Sequence, residues 1–244
     1  MELSFELAVD GIAERVPPSS PGLVVCVGVA GPVAAGKTAL AMGLAAKLDA
    51  DHPGGRRVAV LSTDGFLLPN VELARRGLSG RKGYPDTYDV ERLRAAVATL
   101  RAGAAVAVPV YSHDHYDIVP DDEQVVGPCD VLVVEGLHVL AQLEGLVDFG
   151  IFVDADVALL EQWYVERFHK FRVAARDRPE SFYASMASMA DADADALARQ
   201  VWHAVNLPNC MENVLDTRAY ADVVVMKGVN HCVTGVDIRE HGRP

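Results

Sequence analysis

The run GPVAAGKT at positions 31–38 constrains this chain more than any other stretch. It fits GxxxxGK followed by Ser or Thr, the Walker A pattern, and it lies between two segments of the right kind. Residues 23–29 are apolar and read as a buried strand; residues 37–50 are rich in Ala and Leu and read as a helix. A strand that turns through glycines into a helix N-terminus makes a loop whose backbone N–H groups point inward at phosphate oxygens. Gly31, Pro32, Val33, Ala34, Ala35 and Gly36 would form that cradle. Lys37 would reach the β and γ phosphates of a nucleotide, and Thr38 would ligate Mg²⁺. A chance glycine-rich turn has no reason to carry both flanking elements. The loop alone does not say where the phosphate goes, since a switch ATPase would share it.

The rest of the chain builds one fold around such a loop. Strand-like runs at 57–61, 104–111, 131–134, 147–153, 223–227 and 233–238 alternate with helical patterns at 90–102, 157–171 and 192–205. That alternation implies an α/β, P-loop NTPase fold, with a largely parallel central sheet, helices on both faces and ligands at the carboxyl ends of the strands. VPPSSPG at 16–22 separates a helical leader, 1–22, from a single P-loop domain, 23–244. A chain of 244 residues, 50% hydrophobic, is ample for one sizeable core. A net charge of −12 argues against nucleic acid as the main partner, because phosphate backbones require clustered Lys and Arg. No apolar run is long enough to span a bilayer, and MELSFELAVD lacks the basic start and apolar stretch of a signal peptide. Cys26, Cys129, Cys210 and Cys232 form no CxxC and are expected as reduced thiols of a cytoplasmic protein.

Four further stretches carry chemistry. In LSTDGFLLPN, Asp64 ends the second strand at the edge where the phosphate loop lies. A carboxylate there can take the proton of an acceptor hydroxyl attacking a γ-phosphate, although Asp-Gly alone more often means a turn. In VLVVEGLHVL, Glu135 ends a strand as a Walker-B-like acid would, aiding Mg²⁺ directly or through water; the plainer meaning is a Glu before a Gly turn. In WYVERFHKFR, Tyr164, Arg167, Phe168 and Phe171 follow i, i+3, i+4, i+7 and share a helix face. An Arg on that face could stabilise charge on a transferring phosphoryl, or it could lie at the rim of two core Phe. YSHDHYD at 111–117 reads as a metal site, a proton relay, a polar substrate pocket or a solvated turn. His113 and His115 would supply at most half of a tetrahedral metal site, with no Cys close in sequence.

Taken together and in order, GPVAAGKT, STDGFLLPN, RKGYPDTYD, PVYSHDHYD, VVEGLHVL, VDFGIFVDA, WYVERFHKFR and NVLDTR…KGVNHCV closely resemble the type I (bacterial) pantothenate kinases, P-loop kinases of the phosphoribulokinase/uridine kinase-like superfamily. The resemblance runs from about residue 23 to the end. It implies a kinase that phosphorylates pantothenate to 4'-phosphopantothenate, the first step of coenzyme A biosynthesis, with ATP and Mg²⁺, as a cytoplasmic homodimer. It implies Asp64 as the base toward the substrate hydroxyl, Lys37 and Thr38 at phosphate and Mg²⁺, and Arg167 in support of transfer. Tyr111, His113, Tyr116, Tyr164 and Asn206 would line the substrate pocket, Phe168 and Phe171 its aromatic wall, and His231 would lie near the adenine.

The departures from the family pattern carry expectations too. An N-terminal extension usual in the family is not present in this sequence, which bears on ATP against GTP selectivity. The chain is shorter between 140 and 147, and Asp216 stands where Pro is frequent. Met42 replaces an Arg that binds CoA phosphates, so CoA feedback is expected to be weak. His138 replaces an Asn, and Asp114 and His115 replace less polar residues, which leaves open a related kinase acting on a nucleoside, a sugar or a pantothenate-like alcohol. A non-catalytic ATP-binding regulator is a third reading, against which Asp64 counts. Strict strand alternation would put Tyr111, His113 and His115 on one face and Tyr116 on the other. A pocket of Tyr111, His113 and Tyr116 therefore requires the strand to end or turn between His113 and Tyr116.

Overall fold

In the computed structural model, which describes residues 3–20, 22–50 and 57–239, strands and helices alternate as the sequence pattern demands. Residues 1, 2 and 21 of the expected leader, and 51–56 and 240–244 of the expected domain, lie outside the described residues. The elements in chain order are α1 (Phe5–Ala13), β1 (Val25–Ala30), α2 (Lys37–Ala50), β2 (Val58–Ser62), α3 (Asn70–Arg75), α4 (Val90–Arg101), β3 (Val106–Ser112), β4 (Asp117–Val126), β5 (Val131–Glu135), α5 (Val139–Gln142), β6 (Phe149–Ala155), α6 (Val157–Ala174), α7 (Asp191–Val201), β7 (Val223–Lys227) and β8 (Val233–Ile238). After α7 the helix continues through two π-helical turns, Trp202–Asn206 and Cys210–Val214.

Among the described residues, six strands form one sheet in the order β2-β5-β1-β6-β7-β8. All neighbours are parallel except β8, which closes the edge antiparallel to β7. The carboxyl ends of β1, β2, β5 and β6 therefore lie along one edge, with Ser62 and Val29 both in register with Glu135. Side chains alternate across the sheet. Val25, Val27, Val29, Val131, Val133, Ile151 and Val153 face one way and bury against α1, α2 and α6. Cys26, Leu132, Val134 and Phe152 face the other way and bury against Leu93, Val97 and Leu100 of α4. Each such side chain contributes about 1.5–3 kcal/mol when fully buried. Helix α1 starts at the Ser4 cap, whose hydroxyl accepts from the Leu7 N–H, and lies on α2 with Ala8, Val9 and Ile12 in the shared core. Among the described residues, no helix is long and apolar enough to cross a membrane.

One strand departs from the expected sheet. The run at 104–111 is β3, but it pairs antiparallel with β4 in a separate two-stranded ribbon. The sequence does not announce β4, because DIVPDDEQVV carries a Pro and four acids and offers no buried apolar run. Most of β4 is indeed exposed, so packing does not dictate its pattern.

Candidate active site

The loop between β1 and α2 has the shape its glycines permit. Gly31 adopts φ +143°, and a Cβ there would collide with the Val153 carbonyl of β6. The loop thus presses its backbone against the sheet edge. Lys37 opens α2, is buried, and donates from Nζ to the Pro32 carbonyl at 2.8 Å. Burial lowers its pKa, against the opposing pull of Glu135 and Asp64. The Glu135 carboxylate is buried and has its pKa raised chiefly by that burial, with the Ser62 and Thr38 hydroxyls near enough to draw it back down. A hydroxyl and a carboxylate side by side are hard oxygen donors, the set that Mg²⁺ prefers. The residues present therefore fit that ion.

Asp64 lies in the 3₁₀ turn Thr63–Phe66 that follows β2. Gly65 lets this turn approach β3, since a Cβ there would lie 2.5 Å from the Pro109 carbonyl oxygen. The carboxyl of Asp64 has its pKa raised by burial and drawn back down by Lys37, Arg167 and Lys82. Opposite it stands His113, whose Nε2 is 3.8 Å from Asp64 Oδ2. Burial, aided by Arg167, pushes the His113 pKa down to about 4, so this imidazole is neutral at pH 7. Nη2 of Arg167 is 3.4 Å from both ring nitrogens of His113, a broad contact rather than one directed hydrogen bond.

The turn required between His113 and Tyr116 is present. β3 ends at Ser112, residues 113–116 form the hairpin turn, and Tyr116 has φ +53°. That left-handed residue brings Tyr116 round to the side of Tyr111. Lys82 shows the convergence: its Nζ is 5.1 Å from the Tyr111 ring centroid and 4.6 Å from that of Tyr116. From α6, Phe171 lies 5.8 Å from the His113 ring and stacks on Tyr183 at 5.2 Å. Phe168 is buried edge-on to Tyr183, and Tyr164 lies beside the Asn206 side chain. Asp64, Tyr111, His113, Tyr116, Arg167 and Phe171 thus meet around one space. Tyr164, Phe168 and Asn206 form its second layer.

Lys82 is the residue sequence reading missed. It is buried, donates to Asn70 Oδ1 at 2.7 Å and to the Tyr116 carbonyl at 2.5 Å, and lies 3.8 Å from Asp117. RKGYPDTYD was the available signal, but a lysine in an irregular loop has no periodicity to reveal where its head points.

His231 falls on the nucleotide side, stacked on Trp163 with centroids 3.9 Å apart and close to Gly36. The variant positions resolve differently from expectation. Asp114 accepts from Ser181 Oγ at 2.8 Å and pairs with Arg178 at 2.9 Å, so it ties the hairpin turn to 178–183. His115 is exposed. Asp114 thus has structural partners of its own, and His115 shares its exposure with His113. Met42 is exposed on α2. A cleft of about 510 Å³ lined by Arg172, Arg176 and residues 187–191 shares no residue with this site.

Comparison with known proteins supplies an independent line. The phosphoribulokinase/uridine kinase family model matches residues 26–194. A pantothenate kinase of Sorangium cellulosum is 46% identical over 224 residues, covering 87% of this chain and 72% of that protein. One of Corynebacterium glutamicum is 43% identical over 232 residues, covering 91% and 73%. Among solved structures, a D-glycerate 3-kinase of Cryptococcus neoformans superposes with a TM-score of 0.63 at 17% identity over 95% of this chain and 96% of that one, a likeness of fold alone.

Proposed function

The chain belongs to the phosphoribulokinase/uridine kinase family and, within it, to the pantothenate kinases, and we propose that it transfers the γ-phosphoryl of ATP to the terminal hydroxyl of pantothenate. One observation carries the reading: the Asp64 carboxyl lies at the strand edge that bears the phosphate loop, within the influence of Lys37, Arg167 and Lys82. A carboxylate so placed accepts the proton of the attacking hydroxyl, while the three cations meet the charge that spreads over the transferring group. His113, 3.8 Å from the Asp64 carboxyl, offers a ring nitrogen that helps to orient the hydroxyl. Tyr111, Tyr116, Tyr164 and Asn206 offer hydrogen bonds to a polar acceptor, and Phe168 and Phe171 exclude water behind it.

Thr38 and Glu135 are the residues that would hold Mg²⁺, which when bound supplies a Lewis acid to the phosphates. His231 on its Trp163 platform offers a face to the nucleobase. Residues 23–244 act in this reading as one kinase domain, supported from outside by the leader helix α1 on α2. Kinship with the bacterial enzymes also supports a cytoplasmic homodimer, and sedimentation at the monomer mass would remove that part.

The decisive assay measures ADP formation with ATP and GTP against pantothenate and a set of nucleosides. Turnover should depend on pantothenate. Its absence, with nucleoside turnover in its place, would overturn the proposal.

A further inference from the structure

Lys82 reaches the acceptor pocket from a loop with no regular structure, so something must fix its backbone. The next residue, Gly83, shows what does. Its N–H donates to Thr87 Oγ1 at 3.0 Å, and Thr87 in turn donates to the Tyr84 carbonyl at 2.7 Å. Its carbonyl accepts from two side chains at once, His138 Nε2 at 2.9 Å and Asn209 Nδ2 at 2.8 Å. These donors come from different parts of the fold. His138 stands three residues after Glu135, at the start of α5, and is 2% exposed. Asn209 is 5% exposed and lies between the two π-helical turns, three residues after Asn206. It is itself held by Asn213 Nδ2, which donates to its Oδ1 at 3.2 Å. Burial lowers the His138 pKa, and Nε2, which faces a carbonyl oxygen, is the ring nitrogen that must carry a proton to donate to it. π-helical turns of this kind often mark places where a helix must re-aim a particular side chain.

We propose that His138 and Asn209 are positioning residues for phosphoryl transfer: by gripping the Gly83 carbonyl from two elements, they hold Lys82 between Tyr111 and Tyr116 beside Asp64. The inference rests on the kinase reading for the meaning of that pocket. It also explains why an imidazole and an amide lie buried with one backbone oxygen in common. Released from the grip, the flexible lysine stem would let its strongly hydrated head leave the aromatic pair for water.

The test has two independent readouts. In steady-state assays, His138→Ala and Asn209→Ala should each raise the KM for pantothenate about tenfold, the loss expected of one hydrogen bond to a buried carbonyl, with the KM for ATP unchanged. His138→Gln keeps a donor near the Nε2 position and should recover most of the loss. In a Lys82→Met background, His138→Ala should add nothing, because the residue it positions is gone. Separately, reductive methylation followed by mass spectrometry should find Lys82 protected in the wild-type protein and labelled in His138→Ala. An undiminished effect of His138→Ala in the Lys82→Met background, or unchanged labelling of Lys82, overturns the proposal. If His138→Ala does not fold, Asn209→Ala carries both readouts. A wild-type protein that does not turn over pantothenate would defeat the proposed function while leaving the labelling result to decide the grip.

Discussion

Asp64 is subject to two opposed influences, and its pH behaviour follows from their balance. Burial favours the neutral acid; Lys37, Arg167 and Lys82 favour the carboxylate, and burial prevails. Only the carboxylate can accept a proton, so kcat/KM should rise with pH along an acid limb whose midpoint lies above the ordinary value of 3.8. Lys82→Met removes one of the cations, so the limb should move further up. A limb that stays put would mean that Lys82 does not act on this carboxyl. His113 adds no break near neutrality, because its pKa is pushed down to about 4. Asp64→Asn should lower kcat by about 10²–10⁴, with ATP binding by calorimetry retained. Unchanged transfer would remove Asp64 from the mechanism. At this scale, motif chemistry was legible where backbone geometry dictates it. Lys37 and Thr38 follow a glycine pattern, and Asp64 and Glu135 end apolar strands. Lys82, His138 and Asn209 were not legible as a set, because they meet only after three distant segments fold together at one carbonyl.

At the scale of elements, the β3–β4 ribbon and the Asp64 turn depend on each other. They touch where Gly65 meets the Pro109 carbonyl, and there is no room for a methyl group. Gly65→Ala should cost about 1–3 kcal/mol through overpacking. In a chain of this size that lowers Tm by roughly 2–4 °C per kcal/mol. It should also lower kcat, since the turn that would have to shift carries the base. Unchanged Tm and kcat would show that the ribbon yields freely. The central strands β1 and β5 were visible in the sequence because both of their faces are buried, which makes them nearly continuous apolar runs. β4 was invisible for the complementary reason: water covers most of it, so its residues need obey no apolar pattern. The two π-helical turns were equally hidden, because WHAVN and CMENV carry the propensities of ordinary helix.

The whole molecule carries a net charge of −12, yet the phosphate loop, Arg167 and Lys82 gather positive charge at one edge. Binding of a polyanion is therefore a local property set by the loop. ATP at 100 times its Kd should stabilise the fold by about 2.7 kcal/mol, read as a rise in Tm. Lys37→Ala should abolish that rise, and a rise that survived would place the nucleotide elsewhere. The architecture was foreseeable from the alternation of strands and helices. The placement of the ribbon outside the main sheet was not, since pairing between distant strands leaves no local mark.

That placement has a consequence for descent. The ribbon bearing Tyr111, His113 and Tyr116 shares no strand pairing with the sheet whose edge carries Glu135 and leads into the segments of Lys37 and Asp64. Away from the Gly65–Pro109 contact, exchange of side chains on the wall that recognises the alcohol can therefore leave the floor on which phosphate is handled in place. A lineage built on this plan can change what it phosphorylates long before it changes how.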